Sequence, residues 1–108
     1  MNATEGLHLE FSGPDTYLAG FCMDPSSRNW RQSRLRLDSC LGDSRGSFQW
    51  GGHDFTEDAI NIRFNPEEGG SHVPVLRAEL RDDAGSYHEK DVNLAERINN
   101  YNGYLEFH

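Results

Sequence analysis

The sequence predicts an all-β fold made of two copies of one unit. Short runs of alternating apolar and polar residues indicate strands, because successive side chains of a strand point to opposite faces. Gly, Pro, Asn and Asp separate these runs, as expected for tight turns. The pattern also occurs twice: residues 33–50 (SRLRLDSCLGDSRGSFQW) align with residues 90–107 (KDVNLAERINNYNGYLEF) at an offset of 57 positions. Recurring apolar positions with free polar positions are typical of a duplicated fold unit.

The elements follow in order along the chain. Eight runs predict strands, namely LHLEF, YLAGFC, RLRL, SFQW, AINIRF, PVLRAEL, DVNL and YLEF. The segments LDSCLGD and LAERINN each predict one helical turn, because they are too short for a stable helix. Asn102-Gly103 predicts a hairpin turn, since both residues tolerate positive φ. Hairpins and short three-stranded sheets are the expected architecture.

The repeat boundaries come from the offsets between matching apolar residues. Leu7, Leu9 and Phe11 match Ile60, Ile62 and Phe64 at 53 positions, while Leu18, Gly20 and Cys22 match Leu76, Ala78 and Leu80 at 58. This difference predicts an insertion of about five residues in the second copy, for which EEGGS at 67–71 is the candidate. The repeats run from about 1–50 and 51–108. Each is short for an independent domain, so we expect one domain, 1–108.

Charge and hydropathy exclude several classes of partner. Lys and Arg number 10 against 18 Asp and Glu, a formal net charge of −8. An acidic protein repels phosphate backbones and anionic lipid, so neither nucleic acid nor an anionic membrane is an expected partner. No apolar run approaches the ~20 residues of a membrane span, so no membrane insertion is expected. No signal peptide is visible at the N-terminus, so a cytoplasmic location is the default expectation, with unconventional secretion left open.

The cysteines, histidines and tryptophans show no metal or cofactor pattern. Cys22 and Cys40 are predicted to be small buried hydrophobes, and a disulfide between them stays open because spacing alone cannot establish one. The five histidines are scattered without metal-ligand spacing. Trp30 and Trp50 lie on the repeat pattern and are predicted to belong to the core.

The repeated pattern L-x-L-x-x-x-(I/L)-x-x-x-x-G-x-(L/F)-x-(W/F), with WGGHDFTEDA at the junction, resembles the cyanovirin-N homology family, its fungal members above all. The resemblance implies a pseudo-symmetric lectin in which each half has a three-stranded sheet and a β-hairpin exchanged between halves. One pseudo-domain would be about 1–40 plus 97–108, and the other about 41–96. It also implies binding of α1-2-linked mannose ends of high-mannose glycans, without calcium or another cofactor, in a shallow pocket at each far end.

The resemblance also bears on disulfides. Family disulfides join the first two strands of each repeat. In the second repeat Ala59 and Leu80 occupy these positions, and in the first repeat Cys22 has no upstream cysteine. The family disulfides are therefore implied to be absent, which fits a reducing compartment.

The resemblance implies two sugar sites, carried over position by position. The first, preferred site comprises Thr4, Glu5, Met23, Asp24, Asn100, Tyr101 and Asn102. The family usually has Asp where this chain has Asn102, so the lost charge should weaken the sugar contact without abolishing it.

The second site comprises Gly42, Asp43, Arg45, His53, Asp54, Glu57, Asp58, Arg81, Asp82 and Asp83. Here Arg45 stands where the family usually has Asp, and Asp82-Asp83 crowds the pocket with acid, so this site is expected to be the more damaged. A salt bridge between Arg45 and Asp83 would remake it.

These observations predict a non-enzymatic lectin that binds mannose-containing oligosaccharides or glycoproteins weakly, through one main site. The alternative is a scaffold whose sugar sites have decayed and which binds protein. A glycosidase using Asp54, Glu57 and Asp58 is a third hypothesis, but adjacency in sequence does not supply the separation that its carboxylates need. A monomer is expected, with a domain-swapped dimer hinged at Gly51-Gly52 as the alternative.

Overall fold

The computed structural model describes residues 1–108 and contains ten strands and three 3-10 turns. The strands are β1 (Thr4–Ser12), β2 (Asp15–Asp24), β3 (Asn29–Arg36), β4 (Leu41–Ser44), β5 (Ser47–Trp50), β6 (Ala59–Glu68), β7 (Val73–Arg81), β8 (Tyr87–Asn93), β9 (Ile98–Tyr101) and β10 (Tyr104–Phe107). The turns are Leu37–Ser39, Phe55–Asp58 and Leu94–Glu96. None of these helical segments has the length or hydropathy to cross a membrane.

The strands form two similar units, which confirms the predicted fold class. Strands β1, β2 and β3 make one antiparallel sheet and β6, β7 and β8 make another, while β4–β5 and β9–β10 are hairpins. The β9–β10 hairpin packs against β3, where the backbone N–H of Leu105 donates to Ser33 Oγ at 3.0 Å. The β4–β5 hairpin packs against β8. The molecule is elongated, about 50 by 30 by 21 Å. The residue boundaries of the two pseudo-domains stay a prediction.

All eight predicted strands are present, together with the two predicted helical turns. The sequence did not reveal β4 and β9, because LGDS and INNY lack apolar alternation. Each short strand pairs with the better-marked strand of its hairpin, so the pairing rather than its own composition makes it a strand. The 3-10 turn at Phe55–Asp58 was also not predicted.

The predicted register of the two repeats is wrong in their first strands. Leu9 pairs with Leu18 in the first sheet, and Phe64 pairs with Leu76 in the second. Leu9 therefore corresponds to Phe64, at an offset of 55 rather than 53. Eight residues separate the first pair and eleven the second, so the second copy carries three extra residues rather than five.

The apolar alternation misled the alignment because it repeats every two residues: Leu7 and Leu9 match Ile62 and Phe64 at an offset of 55, just as they match Ile60 and Ile62 at 53. Both first strands also carry a β-bulge. The register shifts between Glu5 and His8 in β1 and between Ile60 and Arg63 in β6. Each bulge includes a residue with positive φ, Gly6 at 62° and Asn61 at 53°. The two bulges occupy equivalent positions, so they leave the offset of 55 between the repeats unchanged, and Leu9 and Phe64 beyond them pack against the core. Phe11 and Ile60, which the sequence suggested as core, are 60% and 46% exposed.

One hydrophobic core spans both units. Its buried members are Leu18, Cys22, Leu37, Leu41, Phe55, Leu76, Ala78, Leu80, Val92, Leu94, Ile98 and Leu105. Both cysteines are free and buried, as predicted for small hydrophobes. Trp50 packs against this core and stacks on Phe107, with ring centroids 5.8 Å apart. Trp30 does not: it is 42% exposed on β3, so its assignment to the core was wrong.

Candidate functional site

The first candidate site is a cleft where the N-terminal segment, the end of β2 and the β9–β10 turn meet. This cleft A has a volume of about 250 Å³ and is lined by Asn2, Ala3, Met23, Pro25 and residues 100–102. None of these side chains carries a formal charge. Three predicted residues of the 100–102 turn and Met23 are therefore together, whereas Asn2, Ala3 and Pro25 were not predicted.

The side chain of Asn100 holds the three parts of cleft A together. Its Nδ2 donates to the carbonyl oxygens of Ala3 at 3.1 Å and of Met23 at 3.0 Å. Its Oδ1 accepts from the backbone N–H of Gly103 at 2.8 Å. The amide of Asn100 is thus used to build the cleft. Tyr101 beside it is 49% exposed and lines the cleft.

Asp24 lies beneath cleft A and does not line it, although the sequence placed it among the sugar contacts. It is 5% exposed, and its Oδ1 accepts from the backbone N–H of Ser26 at 3.0 Å and from Ser26 Oγ at 2.7 Å. Its Oδ2 accepts from the guanidinium of Arg31 at 3.2 Å. The bonds from Ser26, followed by that from Arg31, lower the pKa of Asp24 to about 2. Asp24 is therefore a fixed carboxylate between Met23 and Pro25, the two residues of this segment that line the cleft.

Gly103 can only be glycine at this place. Its φ is +95°, and a Cβ would lie 2.6 Å from Cδ of Arg31. A side chain here would push Arg31 away from Asp24.

Thr4 and Glu5 line a different cleft from the rest of the predicted first site. Their cleft, of about 300 Å³, lies between the N-terminal residues and the β6–β7 hairpin, where the end of β6 contributes Pro66 and Glu67 and the turn contributes His72. Thr4 Oγ1 donates to the carbonyl oxygen of Met1 at 2.9 Å. The N-terminal segment therefore forms a wall between this cleft and cleft A.

Cleft B is the counterpart of cleft A in the second unit. It has a volume of about 320 Å³ and is lined by Asp43, Arg45, Asp58, Arg81, Asp82, Asp83 and Gly85. The strand registers relate four positions: Ala3 and Asp58, Met23 and Arg81, Asn100 and Asp43, Asn102 and Arg45. Asp43 repeats one role of Asn100, since its Oδ1 accepts from the backbone N–H of Gly46 at 2.8 Å. The two clefts thus occupy the same place on the two repeats.

Cleft B differs from cleft A in charge, because four carboxylates and two guanidinium groups line it. Arg81 donates to Asp58 at 2.6 Å. The predicted salt bridge between Arg45 and Asp83 is present at 3.6 Å, but both side chains are more than four-fifths exposed, so it holds the cleft weakly. Burial raises the pKa of Asp43.

Four other residues predicted for the second site do not line cleft B. Gly42 is buried against the backbone of His53, and a Cβ on it would lie 2.8 Å from the His53 nitrogen. Asp54 lies 3.4 Å from Arg36, and Glu57 is exposed on its 3-10 turn. They were predicted by carrying over the family's site positions, but in this structure they lie outside the lining of the cleft.

The carboxylates proposed for a glycosidase are held in unrelated contacts. Asp54 pairs with Arg36, whereas Asp58 pairs with Arg81 at cleft B. No pair of them faces across a common cleft. The arrangement does not supply the acid and nucleophile, or acid and base, that glycoside hydrolysis requires.

One acidic cluster was not predicted. Carboxylate oxygens of Asp15, Asp38 and Asp54 lie within 4.8 Å of one another. The carboxylate of Asp38 accepts hydrogen bonds from Thr16 and Thr56, and Arg36 forms a salt bridge with Asp15 at 2.7 Å. The cluster is therefore satisfied by protein groups and serves as a joint between elements.

The chain is a duplicated β unit with one equivalent cleft in each copy. The family model described as the CVNH domain matches residues 3–106. A cyanovirin-N homolog of Neurospora crassa is 50% identical over 74 residues, which is 68% of this chain and 67% of that protein. The NMR structure of a designed cyanovirin-N homolog lectin has a TM-score of 0.88 at 44% identity, covering 99% of this chain and 96% of that one. The chain belongs to the cyanovirin-N homology family, a family of carbohydrate-binding lectins.

Two more distant structures share the fold. Microvirin in complex with mannobiose has a TM-score of 0.78 at 22% identity, covering 98% of this chain and 94% of that one. A MoCVNH3 variant in complex with (N-GlcNAc)4 has a TM-score of 0.79 at 20% identity, with the same coverage.

Proposed function

We propose that the chain is a non-enzymatic lectin that binds α1-2-linked mannose ends of high-mannose glycans, mainly through cleft A. The observation that supports this proposal most strongly is that the lining of cleft A is uncharged, whereas the lining of cleft B is charged. A neutral sugar presents hydroxyls that both donate and accept, and amides such as Asn102 match both roles. The backbone around the amide is fixed by Asn100, so little ordering is needed on binding.

The choice of sugar rests on the family and on microvirin, whose complex holds mannobiose. The MoCVNH3 variant holds (N-GlcNAc)4, which makes that oligosaccharide the natural competing probe. Members of the family are lectins and not enzymes, in keeping with the proposed role.

One working site limits the strength of binding. In cleft B, Arg81 and Asp58 replace Met23 and Ala3, so a neutral sugar would have to compete with an existing ion pair. A monomer with one site binds a branched glycan at single-site affinity and cannot cross-link glycans. We therefore expect weak binding and no precipitation of mannose-rich glycoproteins.

Calorimetric titration with α1-2-mannobiose tests the proposal. Asn102→Ala should weaken binding at least about tenfold, a loss of ~1.4 kcal/mol. Arg45→Ala is the matched control, since it changes the equivalent turn position of cleft B, also at positive φ. Equal binding by wild type and Asn102→Ala, or a loss caused only by Arg45→Ala, would contradict the assignment to cleft A.

A second candidate function is a scaffold that binds protein through cleft B. The six ionisable side chains of that cleft favour it, because exposed opposite charges are suited to a charged protein surface. Capture of a partner that excess mannose leaves intact and Arg45→Ala abolishes would support this role. Capture that mannose abolishes would exclude it.

A further inference from the structure

A further pocket lies on the outward face of the first sheet, apart from both clefts. It has a volume of about 190 Å³, and the small side chain of Ala19 leaves room at its floor. His8 and Arg34 flank Ala19 as its partners on β1 and β3. Phe21 lines the pocket one outward position further along β2 and is 44% exposed.

The polar groups of this sheet pocket are held in place by one another. Arg34 Nε donates to Glu10 Oε1 at 2.8 Å, and the guanidinium lies 3.9 Å from the ring centre of Tyr17. His8 Nε2 lies 3.1 Å from Glu10 Oε2, and His8 Nδ1 lies 2.7 Å from the carbonyl oxygen of Gly6. Planar groups fixed in this way lose little conformational freedom when a ligand binds.

The charges of the sheet pocket favour a neutral ligand. Glu10 lies between His8 and Arg34, so both signs are present and largely compensated. An anion would face Glu10, and a cation would face Arg34. The pocket still offers acceptors on Glu10 and donors on Gln32 and Arg34, which suits a ligand whose groups do both.

Phe21 adds the apolar surface that distinguishes a sugar from other neutral polar ligands. A pyranose ring has a face of C–H groups and a rim of hydroxyls, so it needs an aromatic surface beside polar groups. We propose that the sheet pocket binds one neutral hexopyranose unit, with its C–H face on Phe21 and its hydroxyls toward Glu10, Gln32 and Arg34.

The second sheet has a pocket at the equivalent place, of about 250 Å³, but its lining of Arg63, Phe64, Asn65 and Arg77 is chemically different. At the positions equivalent to Ala19 and Phe21 it carries Arg77 and Glu79. Arg77 pairs with Glu68 at 2.7 Å, and Glu79 accepts from Asn61 at 3.3 Å. The pocket of the second sheet thus carries the guanidinium groups of Arg63 and Arg77 where the first sheet has His8 and Ala19, so the balance of charge described above belongs to the first sheet alone.

The sheet pocket lies on the same face of β2 as one wall of cleft A. Met23 lines cleft A and follows Phe21 by two residues, ~7 Å along a strand. The two sites have separate linings, so the sheet pocket binds a sugar whether or not cleft A does.

A proton–nitrogen NMR titration with methyl α-D-mannopyranoside tests the sheet pocket. Saturable shifts are expected at Phe21, Gln32 and the Nε–H of Arg34. Phe21→Ala should raise the Kd obtained from these shifts at least about tenfold. Tyr87→Ala is the matched control, because Tyr87 has the same 44% exposure but lies in the second sheet. It should leave the shifts unchanged.

Absent shifts at these three residues, or shifts that Phe21→Ala leaves unchanged, would overturn the assignment. If the spectrum of Phe21→Ala shows that this variant is unfolded, Gln32→Ala replaces it in the titration. Gln32 is exposed, so its loss should weaken sugar binding without unfolding the protein. Shifts at residues 100–102 report cleft A separately. Shifts at the sheet pocket without shifts at residues 100–102 would contradict the proposed function alone. Shifts at residues 100–102 without shifts at the sheet pocket would contradict the sheet pocket alone.

Discussion

The carboxylate of Asp38 accepts a hydrogen bond from the backbone N–H of Thr16 at 2.7 Å, deep in the protein. It also accepts from the backbone N–H and the hydroxyl of Thr56, at 2.9 and 2.7 Å. The second repeat has Pro74 at the position of Thr16, which has no N–H to satisfy, and Ala95 at the position of Asp38. The two differences between the repeats therefore compensate each other.

Asp38→Asn should lower the free energy of unfolding by about 1–3 kcal/mol. Whichever way the amide turns, one of its donors faces a buried N–H that has lost its acceptor. Urea denaturation measures the loss. Asp54→Asn is the control, because its carboxylate is exposed and contacts only Arg36, at 3.4 Å. Equal effects from the two variants would contradict the role assigned to Asp38.

Asn100→Asp should destabilise cleft A while leaving the shape of the side chain unchanged. The carboxylate loses both donors to the carbonyl oxygens of Ala3 and Met23, at a cost of about 1–3 kcal/mol. Urea denaturation measures this cost, and Asp43→Asn is the matched change in cleft B. That variant keeps the acceptor for the Gly46 N–H, so it should be close to neutral. If Asp43→Asn destabilised the protein and Asn100→Asp did not, the role given to the Asn100 amide would be wrong.

Asp24 should make the protein sensitive to acid. Its pKa falls from 3.8 in the unfolded chain to about 2 in the fold, mainly through the bonds from Ser26. The unfolded state therefore binds its proton first, and the stability that the carboxylate provides above pH 4 is lost as the pH falls toward 2. Asp24→Asn should show a shallower fall in Tm across this interval. A curve parallel to that of wild type, or flattening by the exposed control Glu106→Gln instead, would exclude Asp24 as the cause.

Both thiols should be unreactive in the folded protein. Cys22 and Cys40 are buried, and burial raises the pKa of both, that of Cys40 to about 11. Thiolate is the reactive form, so a thiol reagent at pH 8 should find no rapidly reacting group without urea and two in urea. Rapid reaction of one thiol in the native state would contradict this burial, and no reaction in urea would indicate a disulfide.

The sequence predicted what depends on local pattern. Strands such as β2 and β7 alternate clearly, and the turn at Asn102-Gly103 has the residues its backbone requires. It failed where the alternation has no unique alignment: Leu7 and Leu9 match apolar residues of β6 at an offset of 53 as well as at 55, and the strand pairing shows 55. A pattern with a period of two leaves a shift of two residues unmarked.

The residues of the candidate site were predicted correctly where they are neighbours within one hairpin. Asn100, Tyr101 and Asn102 belong to the β9–β10 hairpin and lie together in cleft A, and Asp43 and Arg45 of the β4–β5 hairpin likewise lie together in cleft B. Thr4 and Glu5 depended on the path of β1 beyond the bulge, and they line another cleft. Trp30 recurs in the repeat as an aromatic position. A repeated position can lie on either face of a strand, so the repeat alone did not show that Trp30 is exposed.

Proton–nitrogen NMR with α1-2-mannobiose tests the central claim most directly. The account predicts saturable shifts at Ala3, Met23 and residues 100–102, with none at Asp43, Arg45 or Asp83. Shifts centred on cleft B, or no saturable shift at cleft A at millimolar sugar, would contradict the proposal that cleft A binds mannose.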